Sequence, residues 1–420
     1  MPIFPRDAYS KQVYFAFILL MCILPQSSKT KNNSRQFSET ADDQATPNTI
    51  KLYRFLKSIQ NKYTIIGHQD DLAYGNGWRY NGYNPQKYVS DIYNTCGDYP
   101  GVFGWDLGQI ENKIKNPAVN YVINGVIIDD LKKWIKQVNT MGGINYFSWH
   151  ANNPITGGNS WDNGDGTVVC KILEQGSQSN LEFNKYLDIL ADFFLSLKDE
   201  NNQLIPILFR PFHEANMNNC FWWNFFNSGK CSHNNYKILW KYVEYYFTQV
   251  KQVHNILYVF SLNDNCLGYH KNEETMNIIN EYPGDDCVDI VGYDLYMKNS
   301  FLASNTFESL VQHSISHNKF VTEFAQQHKK IPAITEAGWE NYPAMEGPFT
   351  QIFPGVFGNY NYSFVLFWRN PDKIKDFTSY YCVYPDHPNA KDFKLFYSTT
   401  TKYIFRSKLA SMRNKFITAH

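Results

Sequence analysis

The sequence predicts a single (β/α)8 barrel, the TIM-barrel class, and three observations lead there. After about residue 60, eight short runs rich in β-branched and aromatic residues follow one another, each ending in a polar or aromatic residue. Amphipathic stretches with helical spacing lie between them. The first run ends in Gly67-His68-Gln69-Asp70 and not in GxGxxG, so the main rival, a doubly wound sheet around a dinucleotide, lacks its fingerprint.

The runs, in order, are Tyr63 to Asp70, Val102 to Asp106, Ile144 to His150, Ile205 to Glu214, Ile256 to Asn263, Ile290 to Tyr296, Ala333 to Glu336 and Phe364 to Arg369. Their near-continuous apolar character suits strands buried on both faces. The clearest helix spans Ile127 to Met141, where Leu131, Trp134, Ile135 and Val138 recur at helical spacing and Gly142-Gly143 supply the stop. Two more cover Tyr186 to Leu197 and Ile238 to Val253, the second running straight into the strand at Ile256. Strand ends at 70, 106, 150, 214, 263, 296, 336 and 368 leave each crossover the roughly 30 residues it needs.

Composition bounds the function. At 420 residues, 43% apolar and 19% charged, the chain is no disordered segment. Thirty-nine basic residues balance thirty-nine acidic ones, which excludes a basic groove and with it a nucleic-acid partner. Aromatic residues make 17% of the chain, and Trp and Tyr offer the flat apolar face with a polar edge that sugars suit. Residues 1–25 read as an export signal: Arg6 and Lys11 precede the apolar Val13 to Leu24, which breaks at Pro25. That stretch is shorter than the ~20 residues a membrane span requires. Residues 26–48 read as a polar linker and 49–420 as the barrel domain. The expected location is secreted or attached to the cell envelope. Leu19-Leu20-Met21-Cys22 is similar to a lipoprotein box, with Met21 where a small residue belongs, and makes Cys22 the anchor in the second case. None of the eight cysteines shows CxxC spacing, so no structural zinc is expected, and Cys220 with Cys231 is the first pair expected to bridge.

Barrel active sites lie at the carboxyl ends of the strands. Two of those ends are glutamates. Glu214 closes the fourth run, in Arg210-Pro211-Phe212-His213-Glu214, and Glu336 the seventh, in Thr335-Glu336-Ala337-Gly338. A carboxylate on a buried strand is costly unless paired or used, and cleaving a glycosidic bond needs two: one protonated, one ionised.

These motifs resemble glycoside hydrolase family 26, chiefly β-mannanases, across nearly the whole mature chain. The matching segments are Arg210 to Glu214 with Phe221-Trp222-Trp223, Ser148-Trp149-His150, Val291 to Tyr296, Thr335 to Gly338, Phe367-Trp368-Arg369-Asn370, and the opening Gly67 to Asp71 and Phe103 to Asp106. The resemblance implies a retaining hydrolase of the mannan endo-1,4-β-mannosidase type, with Glu214 as acid/base and Glu336 as nucleophile. It further implies that His150 and His213 bind the sugar at the cleaved bond, that Tyr296 orients Glu336, and that Trp368 lies under the sugar. Arg210, on the inward side of its strand, is expected to hold Glu336 ionised. Trp222 and the loop residue Trp161 are expected to stack on substrate. Where the family carries Trp-Phe-Trp-Trp, this chain has Cys220-Phe221-Trp222-Trp223. No metal or cofactor is expected, the partner is a β-mannan polysaccharide or oligosaccharide, and the chain is expected to be a monomer. A β-glucanase or β-xylanase of the same family, a non-catalytic glycan-binding barrel and a metal-dependent hydrolase are the alternatives. Loops after strands one to three decide between endo and exo action.

Overall fold

The computed structural model describes residues 38–80, 89–217, 220–224, 231, 233–263, 282–297, 307–339, 347–372 and 381–419. The expected export signal, Cys22 and Cys266 lie outside the described residues. All eight expected strands form: β1 (Thr64–Gln69), β2 (Val102–Asp106), β3 (Ile144–Ser148), β4 (Ile207–Arg210), β5 (Ile256–Asn263), β6 (Ile290–Met297), β7 (Ile331–Trp339) and β8 (Phe364–Phe367). Each pairs in parallel with the next, and β8 returns to β1 with Ile65 opposite Phe364, which closes the barrel.

Adjacent residues on each strand serve two different cores. Ile65, Val102, Leu208, Leu257, Ile290, Ala333 and Phe364 fill the barrel interior. Their neighbours Ile66, Phe103, Phe209, Tyr258, Val291, Ile334 and Val365 face the surrounding helices. A strand buried on both faces leaves few polar positions in its sequence, which is why these runs read as apolar blocks.

The helix α1 (Pro47–Ile59) starts where Thr46 caps it, its hydroxyl accepting from the Thr49 N–H at 3.3 Å, with Pro47 preset for the first turn. Leu52, Phe55 and Leu56 join the interior cluster, so α1 plugs the amino end of the barrel. Burying each such side chain is worth about 1.5–3 kcal/mol. The amphipathic helix expected between β2 and β3 is α2 (Ile128–Thr140); it buries Leu131, Trp134, Ile135 and Val138 and ends at Gly142, whose φ of 79° few other residues tolerate. The next two crossover helices are α3 (Gln178–Ser196) and α4 (His233–Tyr245), the second followed by a wider turn over Tyr246–Val250. No described helix is long and apolar enough to cross a membrane.

Two expectations need correction. The packed chain begins near Glu39, not at residue 49: Thr40 and Asp42 are buried, and the Ala41 N–H donates to Asp289 at 2.7 Å. Polar composition suggested a linker because those polar groups are satisfied by the barrel itself. The disulfide joins Cys231 to Cys170, 61 positions away, and leaves Cys220 a free thiol. The chain turns sharply after Cys220 and brings it against the indole of Trp161, while Cys170, at the end of the long loop after β3, comes within 5.7 Å Cα to Cα of Cys231.

Candidate active site

β4 is short because Pro206 and Pro211 bracket it, neither having an N–H for the ladder. Beyond it the chain turns through Phe212 (φ 50°) and Glu214 (φ 52°), a region costing roughly 1–3 kcal/mol for a residue with a side chain. The turn is held from all sides. Tyr236 donates to the Phe212 carbonyl at 3.0 Å, the Trp223 indole to that of His213 at 2.8 Å, and the Asn224 amide to that of Glu214 at 3.0 Å. At about 0.5–1.5 kcal/mol each, such bonds offset the strain. Asn263, at the end of β5, donates to Glu214 Oε1 at 2.6 Å and fixes its carboxyl.

Glu336 reaches the interior through an irregularity. On β7, Ala333 faces the barrel interior and Ile334 the helices. Strict alternation would turn Thr335 inward and Glu336 outward. The register between β6 and β7 slips after Tyr293 and Ile334, so that Asp294 lies opposite Glu336. This bulge lets both residues serve the interior: Thr335 donates to Asp294 at 2.6 Å, and Glu336 joins the charged cluster.

Carboxyl oxygens of Glu214, Asp294 and Glu336 lie within 4.8 Å of one another. Arg210, fully buried, supplies the opposing charge. One of its terminal nitrogens donates to Asp294 at 2.7 Å and to Ser261 at 3.0 Å, the other to Glu336 Oε1. The Tyr296 hydroxyl donates to Glu336 Oε2 at 2.5 Å. Both Glu336 oxygens therefore accept from fixed donors. The cation that three gathered carboxylates require is thus a guanidinium of the chain itself. Burial, then the Asp294 charge, pushes the Glu214 carboxyl up to about 8, so it holds a proton at neutral pH. Asp294 is raised by burial as well, opposed by Arg210 and Thr335.

Two histidines stand beside this cluster. The His150 Nδ1 meets Asp106, which also accepts from the His150 N–H at 3.1 Å and from Ser148 at 2.9 Å. Burial alone would raise the Asp106 carboxyl, but His150 and these donors outweigh it and hold it at about 2. Nε2 of His150 lies 3.2 Å from Nε2 of His213. Burial and the Arg210 charge drive His213 well below its usual value, so it is neutral. The two Nε2 atoms face each other, and His213 Nδ1 has no hydrogen-bond partner among the described residues.

Around the histidines stand Trp161, stacked on His150 at 5.4 Å and half exposed, Phe221 at 5.5 Å, and Trp368 at 6.2 Å. Trp222 is not among them. It is buried against Phe183, Phe212 and Trp223, and its indole donates to the Ala151 carbonyl at 2.9 Å, so it braces the wall without presenting a face.

Residues 41–366 match the model of glycosyl hydrolase family 26. The chain belongs to that family. Among solved structures, a family 26 β-mannanase from Bacteroides ovatus is 34% identical with a TM-score of 0.74, covering 86% of this chain and 96% of that one. A family 26 protein from a Muricauda species has a TM-score of 0.75 at 25% identity, over 92% and 99% of the two chains. A mannan endo-1,4-β-mannosidase of Bifidobacterium adolescentis is 35% identical over 248 residues, 59% of this chain. One from Bacillus subtilis is 28% identical over 216 residues, 50% of this chain. The matches span 23% and 54% of those two relatives.

In this family 26 chain, Glu214, Glu336, Arg210, Tyr296, His150 and His213 lie together in the structure, with Trp368 and Trp161 beside them. Four contributors were missed. Asp294 sits inside the Val291 to Tyr296 motif, two positions before Tyr296, and that spacing on one strand was the available signal. Asp106 and Asn263 end their strands and belonged to the same shortlist as the glutamates. Phe221 gave no signal of its own, because its approach to both histidines depends on the turn after Glu214.

Proposed function

We propose that this family 26 chain is a retaining glycoside hydrolase that cleaves internal β-1,4-mannosidic bonds of mannan, glucomannan or galactomannan. One observation carries the reading: the oxygens of Glu214 and Glu336 approach within 4.8 Å. Retaining enzymes hold their carboxyls ~5–5.5 Å apart, because the nucleophile must reach the anomeric carbon itself, whereas inversion needs ~6.5–9.5 Å to admit a water.

Glu214 holds its proton at neutral pH and gives it to the glycosidic oxygen as that bond breaks. Glu336, kept ionised and aimed by Arg210 and Tyr296, attacks the anomeric carbon and forms a glycosyl ester. Glu336 loses its charge in that step, and Arg210 keeps Asp294 as its partner. Glu214, now a carboxylate, takes a proton from the water that attacks the ester, which restores Glu336 and releases the sugar with its configuration retained. His150, His213 and Trp368 bind the sugar at the cleaved bond, and Trp161 a neighbouring one. The names of the relatives support mannan, and the N-terminal apolar stretch supports export before the enzyme acts.

Linear mannan, galactomannan, mixed-linkage glucan and xylan are the substrates to compare. New reducing ends are expected from the first two, with the β anomer appearing first by NMR, and Glu336→Ala is expected to lower kcat ~10⁴-fold or more. Cleavage of glucan or xylan alone would reassign the substrate. An α anomer appearing first, or binding of mannan without turnover, would overturn the mechanism.

A further inference from the structure

Two loops that share no secondary structure behave as one body at the barrel mouth. The loop after β3 carries His150 and Trp161, and the loop after β4 carries His213, Glu214 and Phe221. Trp222 pins them at two points, its N–H donating to the Ser160 carbonyl at 3.1 Å and its indole to the Ala151 carbonyl. The Cys170–Cys231 disulfide ties them covalently at the far end, Cys170 lying in the short helix Val168–Leu173 that follows the first loop and Cys231 just ahead of α4. Between these ties, Trp161 and Phe221 lie 5.7 Å apart at 43°, Phe221 buried and Trp161 half exposed over His150.

We propose that the Cys170–Cys231 disulfide positions substrate: it holds the half-exposed Trp161 against the buried Phe221, which backs it, so that Trp161 presents the aromatic face that binds the sugar on the leaving-group side. The side follows from connectivity, since Phe221 stands on the same loop as Glu214, the group that must meet the leaving oxygen. The loop bearing Trp161 has Asn and Asp turns where it would otherwise need strand or helix, with Asn153 Oδ1 accepting from the Ile155 and Thr156 N–H groups at 2.9 and 3.2 Å. Such turns shape the loop but do not fix where it docks. Aromatic stacking pays only if the ring is already in place, because immobilising it on binding subtracts from the affinity. This inference rests on the glycosidase reading above.

The test compares full-length wild type with Cys170→Ser/Cys231→Ser, each alone and combined with Trp161→Ala. Assays use linear mannan and an aryl β-mannoside, whose leaving group carries no sugar, below the melting temperature of every variant. For the double serine variant, KM for mannan is expected to rise roughly 3- to 10-fold, the worth of one lost stacking partner. kcat, and kcat/KM for the aryl mannoside, are expected to stay within about twofold of wild type, the scatter between independent sites. Adding Trp161→Ala is expected to cost nothing further, because both changes remove the same contact. Equal losses on both substrates, an unchanged KM for mannan, or fully additive effects with Trp161→Ala would each overturn the proposal. Absence of mannan cleavage by wild type would instead remove the glycosidase reading.

Discussion

The two ends of this barrel are built from the same eight strands and opposite chemistry. At the amino end, Ile65, Leu208, Leu257 and Ile290 close against Leu52, Phe55 and Leu56 of α1, with no charged side chain in the cluster. At the carboxyl end the same strands deliver Arg210, Asp294 and Glu336, all buried, and Asp70, Phe212 and Glu214 beyond β1 and β4 have positive φ. One end lowers the free energy of folding and the other raises it. Stability is assigned to the plug so that strain and buried charge can be tolerated at the mouth.

Leu208 and Arg210 make the sharpest contrast, because both are fully buried, both face the interior and only one residue separates them on β4. Arg210→Ala is expected to lower kcat/KM on the order of 10²–10³-fold, as loss of one fixed charged donor does. It is also expected to cost about 3–5 kcal/mol, because Asp294 and Glu336 lose their buried partner. Leu208→Ala is expected to cost about 2–5 kcal/mol through the cavity it leaves, with kcat unchanged. Denaturant melts and steady-state kinetics on the two variants measure both quantities. A large kcat loss in Leu208→Ala would show that plug and mouth are mechanically coupled and would end the division.

The plug was legible in the sequence and the mouth only partly so. All eight strands were read from apolar runs, because burial on both faces suppresses alternation and leaves blocks that need no tertiary knowledge to see. The glutamates were legible for a related reason, being acidic residues at the ends of such blocks. What stayed hidden depended on departures from regular geometry. Nothing in Ile334-Thr335-Glu336 announces the bulge that lets Thr335 and Glu336 share the interior. The length of β4 was overestimated because the strand run was carried through Pro211 into a turn of positive φ. The disulfide was assigned to the nearer cysteine, since sequence distance says nothing about how far a loop of turns doubles back.

The mouth should betray itself in pH dependence near neutrality, because its buried carboxyls take part in the reaction. Glu214 acts as an acid only while protonated, and burial with the Asp294 charge holds its proton to about 8. kcat/KM for mannan is expected to be level below that value, down to the pH at which Glu336 takes up a proton, and to fall ~10-fold per pH unit above it. A profile of wild type against Glu214→Gln, run with an activated aryl mannoside that needs little protonation, is expected to lose this limb. A limb that persists in the variant would assign the titration to another group.

The smallest expected effect concerns stability. A carboxyl that keeps its proton to about 8 in the fold but releases it near ~4.3 in the unfolded chain binds more protons when folded across that window. Its contribution therefore falls as pH rises from ~4.3 toward 8, the reverse of a salt-bridged carboxylate. Glu214→Gln removes the titration and keeps an acceptor for the Asn263 amide. Relative to wild type, the variant is expected to be about equally stable at pH 4.5 and on the order of 1–2 kcal/mol more stable at pH 8, less than full linkage because Asp294 shares the proton. The same substitution made at an exposed glutamate such as Glu39, which lies outside the mouth and is paired with Arg54 at 2.7 Å, is expected to run the other way, losing a little stability at high pH. Melting curves at the two pH values decide it. If the stability gained by Glu214→Gln over wild type is no larger at pH 8 than at pH 4.5, the proton is not held where the geometry puts it, and the cost of the mouth lies in its backbone alone.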